Sequence, residues 1–355
     1  MKQRIVFLSA FLSPLRSGAE AMVEEVAVRL PDDMDVTIIT GRFRREWKKD
    51  DVLGKRVRVV RVGIGSSFDK YLFPFLAPLA VLSLRADIIH AVLESYAGLA
   101  LVLCRFFVPK AKRILTLQST NTSFLLGPIH RSAHKITAIS SFLVQRAKKF
   151  GCSDVALIRN GIDLTAIRES CSFHAKDSGR VLFVGRLEPM KGVDTLLHAF
   201  SKAIKGLDPA IHLRIVGSGS LADSLQQLSK TLDIDHRVTF VGHLYGRGVF
   251  DEYAVAEIFC ALSRSEALGN VFLEAQAAGC TVLATTVGGI PEIVEDGVGG
   301  RLVPPDDIDA AASVLRELLG DPSLRARLSS NAKRSAEQYD WSGIAAQYVK
   351  IYRSL

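Results

Sequence analysis

Residues 181–200 read VLFVGRLEPMKGVDTLLHAF. VLFVG has the Val-rich, apolar character of a buried strand, and VDTLLHAFSKAI beyond it has the period of a helix. The turn between them carries two cations, Arg186 and Lys191, around Pro189. Fixed cations at a strand end, with a helix N-terminus following at once, suit a diphosphate, whose charge is spread over several oxygens. Two surface cations in a loop fit the same letters.

Working outward, the same alternation fills the second half. HLRIVG, RVTFVG, EIFCAL and TVLATT read as strands, SLADSLQQLSKTL as a helix after the first of them, and VFLEAQAAG as a helix between the last two. The first half repeats the pattern with RIVFLSA, DVTIIT, RVRVVRV, ADIIHAV, KRILTLQ and KITAIS, and with AEAMVEEVAVRL, where Met22, Val26 and Leu30 share a helix face. Strands alternating with helices imply parallel sheets covered on both sides. A break near ESCSFHAKDSG and a linker over 158–167, with its Asn160-Gly161 turn signal, divide the chain into two doubly wound domains. The expected boundaries are 1–163 and 164–338. Residues 339–355 form a last amphipathic helix that must dock on something already built. In open α/β sheets ligands bind beyond the carboxyl ends of strands, so two such domains would hold a ligand in a cleft between them.

Composition limits the rest. With 355 residues, 48% hydrophobic and 23% charged, the chain is globular and long enough for two domains. Five scattered cysteines without a C-x-x-C argue against a disulfide framework or zinc site and for a reducing compartment. MKQRIVFLSAFLSPL reads as a first strand rather than a signal peptide, and no apolar run is long enough to span a bilayer. The net charge of +8 is uneven: residues 1–165 carry a surplus of 11 cations, residues 166–355 a deficit of 3. A basic first half suits an anionic partner or a merely solvated basic face.

Two further stretches bear on chemistry. VGSGSLA, 216–222, matches G-x-G-x-x-A through Gly217, Gly219 and Ala222. That is a dinucleotide fingerprint on paper, or a tight strand-to-helix turn. SEALGNVFLEAQAAG, 265–279, sets Glu266 and Glu274 among apolar residues. Gly269 and Asn270 suit a helix start, which puts Glu266 in a loop and Glu274 one turn inside the helix. Amides around Leu268 to Val271 would then meet anions or hydroxyls, and a carboxylate suits a vicinal diol such as a ribose.

Together, GRLEPMKGVDTLL, the Glu266…Glu274 pair and TTVGGIPEIVEDGVGGRLVPPDD resemble the retaining glycosyltransferase family 4, of GT-B fold. SGAEAMVEEVAVRL, ADIIHAV, RNGID and YDWSGIAAQYVKIY resemble the family's glycine loop, its D-hydrophobic-H strand, its linker and its last helix. The resemblance runs along nearly the whole chain. It implies transfer of a sugar from a UDP- or GDP-sugar to a glycan, lipid-linked or small-molecule acceptor, with retention. It also implies that the last helix crosses back to the first domain. Arg186 and Lys191 would hold the diphosphate and, with Glu266, carry catalysis. Glu274 would bind the ribose, while Glu266 and the backbone of Leu268, Gly269, Asn270 and Val271 meet the sugar. Gly185 and Gly217 belong to the donor-binding turns. Gly18, in the loop after the first strand, would let backbone approach the phosphate and sugar. His243 falls where the family contacts the base. Gln118 stands where the family often has a His, near the sugar or acceptor. It can hydrogen-bond a hydroxyl but carries no proton at neutral pH.

No nucleophile is evident, so the leaving diphosphate is itself expected to accept the acceptor's proton. No cofactor is expected. Asp233-Ile-Asp235 and Asp307-Ile-Asp309 match D-x-D, but the resemblance argues against a metal. His130 and His134 are spaced for one helix face and read as surface residues, and His90 as a structural residue at a strand end. Rival readings are a sugar-nucleotide epimerase, a nicotinamide-dependent oxidoreductase using GSGSLA, and a nucleic-acid binder, the last not expected. GRFRREWKK, 41–49, holds five cations and two aromatics, and YLFPFLAPLAVLSL, 71–84, is apolar but broken by Pro74 and Pro78. They read equally as a loop with a buried helix or as a surface lying on an anionic bilayer. The expected location is cytoplasmic, or peripheral on the cytoplasmic membrane face.

Overall fold

A computed structural model describes residues 2–355. The chain divides into two compact units, one of Met1–Gly161 with Trp341–Leu355, the other of Ile162–Asp340.

The first unit is built on eight strands: β1 (Gln3–Leu8), β2 (Met34–Gly41), β3 (Asp50–Leu53), β4 (Val57–Val62), β5 (Ile88–Val92), β6 (Lys112–Leu117), β7 (Lys135–Ala138) and β8 (Val155–Leu157). They lie in the order β3-β4-β2-β1-β5-β6-β7-β8. All pairs are parallel except β3 with β4. Setting the β3 edge aside, the order from β4 inward reverses between β1 and β5, the switch point of a doubly wound sheet. Ile5, Phe7 and Leu8 on β1 are fully buried, as a central strand covered on both faces requires.

The last helix, Trp341–Ser354, belongs to this unit. Its Trp341, Ile344, Ala345, Tyr348 and Tyr352 share one core with β1 and with the helix Gly18–Arg29. Each large side chain so buried contributes roughly 1.5–3 kcal/mol. His90 lies at the middle of β5, not at a strand end, and is wholly buried. Its ring nitrogens meet the Tyr352 hydroxyl at 2.7 Å and Thr116 Oγ1 at 2.6 Å, and burial pushes its pKa down to about 3. It is a neutral core residue that fastens the last helix to the sheet.

The second unit has six parallel strands: β9 (Asp177–Val184), β10 (His212–Val216), β11 (Val238–Gly242), β12 (Ala256–Ala261), β13 (Thr281–Thr285) and β14 (Gly300–Val303). Their order is β11-β10-β9-β12-β13-β14, which is the 3-2-1-4-5-6 order of the Rossmann sheet. The switch point lies between β9 and β12.

Some expectations are corrected. Residues 164–167 are not linker but the start of a helix, Leu164–Phe173, because the Asp163 carboxylate accepts from the Ala166 amide and caps it. ESCSFHAKDSG therefore runs from that helix into β9, inside the second unit. His130 and His134 share no helix face, since the helix Leu126–Ser132 ends between them with Ala133 extended. His130 is fully buried rather than on the surface, and burial and Arg146 push its pKa down to about 4. The His134 ring accepts from the Arg113 amide. No helix among the described residues is long and apolar enough to cross a membrane.

Candidate functional site

The switch point of the second unit gathers the charged residues of the opening stretch and of SEALGN. β9 ends at Val184, and the chain turns through Gly185, Arg186 and a single helical turn at Pro189–Lys191 before the helix Val193–Ala203. β12 ends at Ala261, and the following loop delivers Glu266. The Lys191 ammonium donates to Glu266 Oε2 at 2.5 Å, with both side chains about one-sixth exposed, at 17% and 15%. Arg186 is exposed, and its guanidinium touches only Met190 Sδ, at 3.6 Å, among the hydrogen bonds of the described residues.

Gly269 caps the helix Asn270–Ala277 in a left-handed conformation, and Glu274 stands on that helix half-buried. Leu268 is fully buried, so its backbone rather than its side chain can face a ligand. Beside Glu274 lies Tyr253, wholly buried. Burial first, and then the Glu274 carboxylate, holds that phenol well above its usual range. A half-buried carboxylate with a phenol beside it is suited to accept hydrogen bonds from paired hydroxyls.

GSGSLA is bound up in this turn rather than open to a dinucleotide. The Leu187 amide donates to Ser218 O at 2.9 Å, and the Leu221 amide to Leu187 O at 3.0 Å. Ser220 donates through amide and hydroxyl to Glu188 at 3.0 and 2.7 Å and holds that carboxyl below its usual range. A side chain at Gly217 would place its Cβ 1.8 Å from Gly185 O, at a φ of +145°. Gly217 and Gly219 are fitted against the backbone of Gly185 and Leu187, as a tight strand-to-helix turn requires. His243 lies exposed just beyond β11, its ring edge-on to Tyr245 at 4.3 Å.

Two supporting residues escaped sequence reasoning. Arg264 donates to Asp194 at 2.9 and 2.7 Å, to Asp306 at 2.7 Å and to the Pro189 carbonyl at 2.6 Å. Its own amide donates to Met190 O at 2.8 Å. Arg264 thus clamps the turn that carries Lys191. Gly288 lies on the backbone of Glu266, where an added Cβ would sit 1.7 Å from Glu266 O. A cation two residues before Glu266 and the double glycine of TTVGGIP were the available signals.

D-x-D serves no common purpose. Asp307 caps the helix Ile308–Gly320, and Asp309 pairs with Lys202. Asp233, Asp235 and His236 form an exposed cluster away from these residues in sequence.

In the first unit, Gly18 does not lie in the loop but is the first residue of its helix. Ser17 and Glu20 form a capping box ahead of it, and Glu24 accepts from the Ser13 amide at 2.9 Å, fixing the loop. Gln118 sits just beyond β6, 8% exposed. It exchanges two hydrogen bonds with the Asn160 amide, at 3.1 and 2.9 Å, so its own amide is already engaged. Its backbone donates to Glu94, a buried carboxylate paired with Arg146 that the sequence reading passed over. Burial raises the Glu94 pKa although Arg146 opposes it.

Comparison with known proteins adds to this geometry. Residues 16–166 match the family model described as Glycosyltransferase Family 4, and residues 170–335 the model described as Glycosyl transferases group 1. The phosphatidyl-myo-inositol mannosyltransferase of Mycolicibacterium smegmatis is 30% identical over 235 residues, covering 65% of this chain and 60% of that protein. The D-inositol 3-phosphate glycosyltransferase of Saccharomonospora viridis is 33% identical over 215 residues, covering 56% and 50%. The chain thus spans about half to three-fifths of the length of the curated relatives it matches. Among solved structures, sucrose-phosphate synthase from Thermosynechococcus elongatus has a TM-score of 0.85 at 20% identity, covering 99% of both chains. Anabaena Alr3699/HepE, solved in complex with UDP and glucose, has a TM-score of 0.81 at 21% identity, covering 99% of this chain and all of that one. These two likenesses are of fold.

Proposed function

Since the chain belongs to the glycosyl transferases of group 1, family 4, and has their GT-B fold of two Rossmann-like sheets, we propose that it transfers a sugar from a nucleotide-sugar donor, with retention. The supporting observation is the meeting of Lys191 and Glu266 at the switch point of the second unit, with Arg186 exposed on the same turn.

In this reading Arg186 and Lys191 take the donor diphosphate, and Glu274 takes the ribose hydroxyls. Glu266 and the backbone at Leu268, Gly269, Asn270 and Val271 address the sugar, with Gly185 and Gly217 shaping the turns beneath. His243 faces the base, and Gly18 stands at the start of the first unit's first helix. As charge develops on the leaving diphosphate, the two cations stabilise it, and a half-buried site strengthens that interaction. No side chain in a nucleophile's role is needed, because the diphosphate oxygen can accept the acceptor hydroxyl's proton as the new glycosidic bond forms. The donor is a UDP- or GDP-sugar. The acceptor is a glycan, a lipid-linked or a small-molecule alcohol, met in the cytoplasm or at the cytoplasmic membrane face.

Incubation with UDP- and GDP-sugars, with and without candidate acceptors, tests this. Acceptor-dependent release of nucleoside diphosphate is the expected result; conversion of the donor sugar without any acceptor would overturn it.

A further inference from the structure

The helix Asp69–Leu84 turns Phe73, Ala77 and Val81 into the first unit's core. Its outer side is apolar too. Tyr71, Phe75, Leu79 and Leu82 are 49–63% exposed, and Phe68 just ahead of the helix is 58% exposed. Successive steps of three and four residues put all five on one face. A surface helix ordinarily carries charge on that face, yet no charged residue occurs between Lys70 and Arg85.

The apolar face continues into a basic one. The Phe68 ring lies 5.2 Å from Tyr71, and Tyr71 lies edge-on to Tyr96 at 5.8 Å. Tyr96 meets Phe11 at 6.4 Å, Phe11 stacks on Phe43 at 5.0 Å, and Phe43 meets Trp47 at 6.5 Å. This unbroken row of rings joins the helix to GRFRREWKK. Arg44, Arg45, Lys48 and Lys49 are exposed there. Arg44 faces Glu46, whereas Arg45, Lys48 and Lys49 have no ion-pair partner among the described residues. The nearby Asp50 and Asp51 are taken by Arg58 and Arg61. Lys70 sits over the Tyr71 ring at 5.0 Å.

We propose that this face of the first unit seats on an anionic lipid bilayer. Phe68, Phe75, Leu79 and Leu82 enter the headgroup–acyl boundary, Trp47 lies at the interface, and Arg45, Lys48, Lys49 and Lys70 meet the lipid phosphates. The helix lies on the membrane: its 16 residues reach about 24 Å, less than the hydrocarbon thickness. A second copy of the chain fits less well, because it would bring these cations against like charges. The proposal deepens the membrane-side reading of the acceptor. Its test needs neither donor nor turnover, so its failure leaves the transferase reading standing.

Flotation of the full chain with vesicles of phosphatidylcholine alone, and of phosphatidylcholine with phosphatidylglycerol, provides that test. Binding is expected only to the anionic vesicles and should weaken as salt rises. The double variant Phe75→Ser, Leu79→Ser should lower the partition at least about tenfold. The triple variant Arg45→Gln, Lys48→Gln, Lys49→Gln should lower it on the order of 100-fold. Both should melt like the parent, since the changed side chains are exposed. No flotation with anionic vesicles, or flotation that both variants leave unchanged, overturns the proposal. So does a dimer in light scattering that Phe75→Ser, Leu79→Ser dissolves while lipid binding is absent.

Discussion

Replacing Gly288 by Ala should cripple transfer well beyond what its strain alone would cost. Gly288 has a φ of +54°, and an ideal Cβ there would stand 1.7 Å from Glu266 O and 2.9 Å from the Glu266 carbonyl carbon. Ordinary contact needs about 3.5 Å, so the two backbones must part by about 1.8 Å. Glu266 carries the carboxylate that meets Lys191 at 2.5 Å, and a displacement of about 1 Å at a reacting site costs on the order of 100-fold in rate. The left-handed conformation alone adds about 1–2 kcal/mol of strain for an L-residue. Gly297→Ala separates the two effects. Gly297 has a φ of +72° and nothing within 4 Å of its added Cβ, so it carries the strain without the contact. Initial rates of nucleoside diphosphate release, with thermal melts of both variants, give the comparison. Assayed below both melting temperatures, Gly288→Ala should be on the order of 100-fold slower than Gly297→Ala, and it should melt lower because the backbone contact adds to the strain. Rates within about threefold of each other would refute the role given to the Glu266 backbone.

Other predictions follow the same geometry. Lys191→Ala and Glu274→Ala should each lower transfer on the order of 100-fold or more; near-parental turnover in both would sink the donor site. His90 is held at a pKa of about 3 in the folded chain, against the usual 6.5 when unfolded. The unfolded chain therefore takes up this proton first as pH falls. Stability is whole above about pH 6.5 and is lost below it by about 1.4 kcal/mol per pH unit. Urea unfolding at pH 7.5 and 5.5 should show that loss in the parent and a smaller one in His90→Gln; equal losses would contradict the burial argument. Gln118→Ala should cost about 1–3 kcal/mol in urea unfolding, because it removes both bonds to the buried Asn160 amide. An unchanged midpoint would mean the pair contributes nothing to the fold.

Much of this architecture is legible in the chain because central strands are buried on both faces. RIVFLSA, ADIIHAV and VLFVG read as apolar runs for that reason. The edges are not legible. β3 is the mostly exposed DDVL, β8 only three residues, and β14 a short GRLV, so none carries an alternation long enough to read. The helix after Asp163 was hidden because its cap sits inside what reads as a turn. In the site, Arg186, Lys191, Glu266 and Glu274 stand out as charges at strand and helix ends. Arg264 does not, because its role depends on Pro189, Asp194 and Asp306, which only the fold brings together. Gln118 could be recognised as a substitution, but its engagement by Asn160, 42 residues away, could not.

Titration calorimetry of UDP and GDP against the parent chain, Lys191→Ala and Arg186→Ala tests the central claim most directly. At least one of the two nucleotides should bind the parent, more tightly than its monophosphate, and lose about tenfold or more in each variant. Binding of neither diphosphate to the parent, or equal binding to all three chains, would contradict the assignment of the 186–191 turn to a diphosphate.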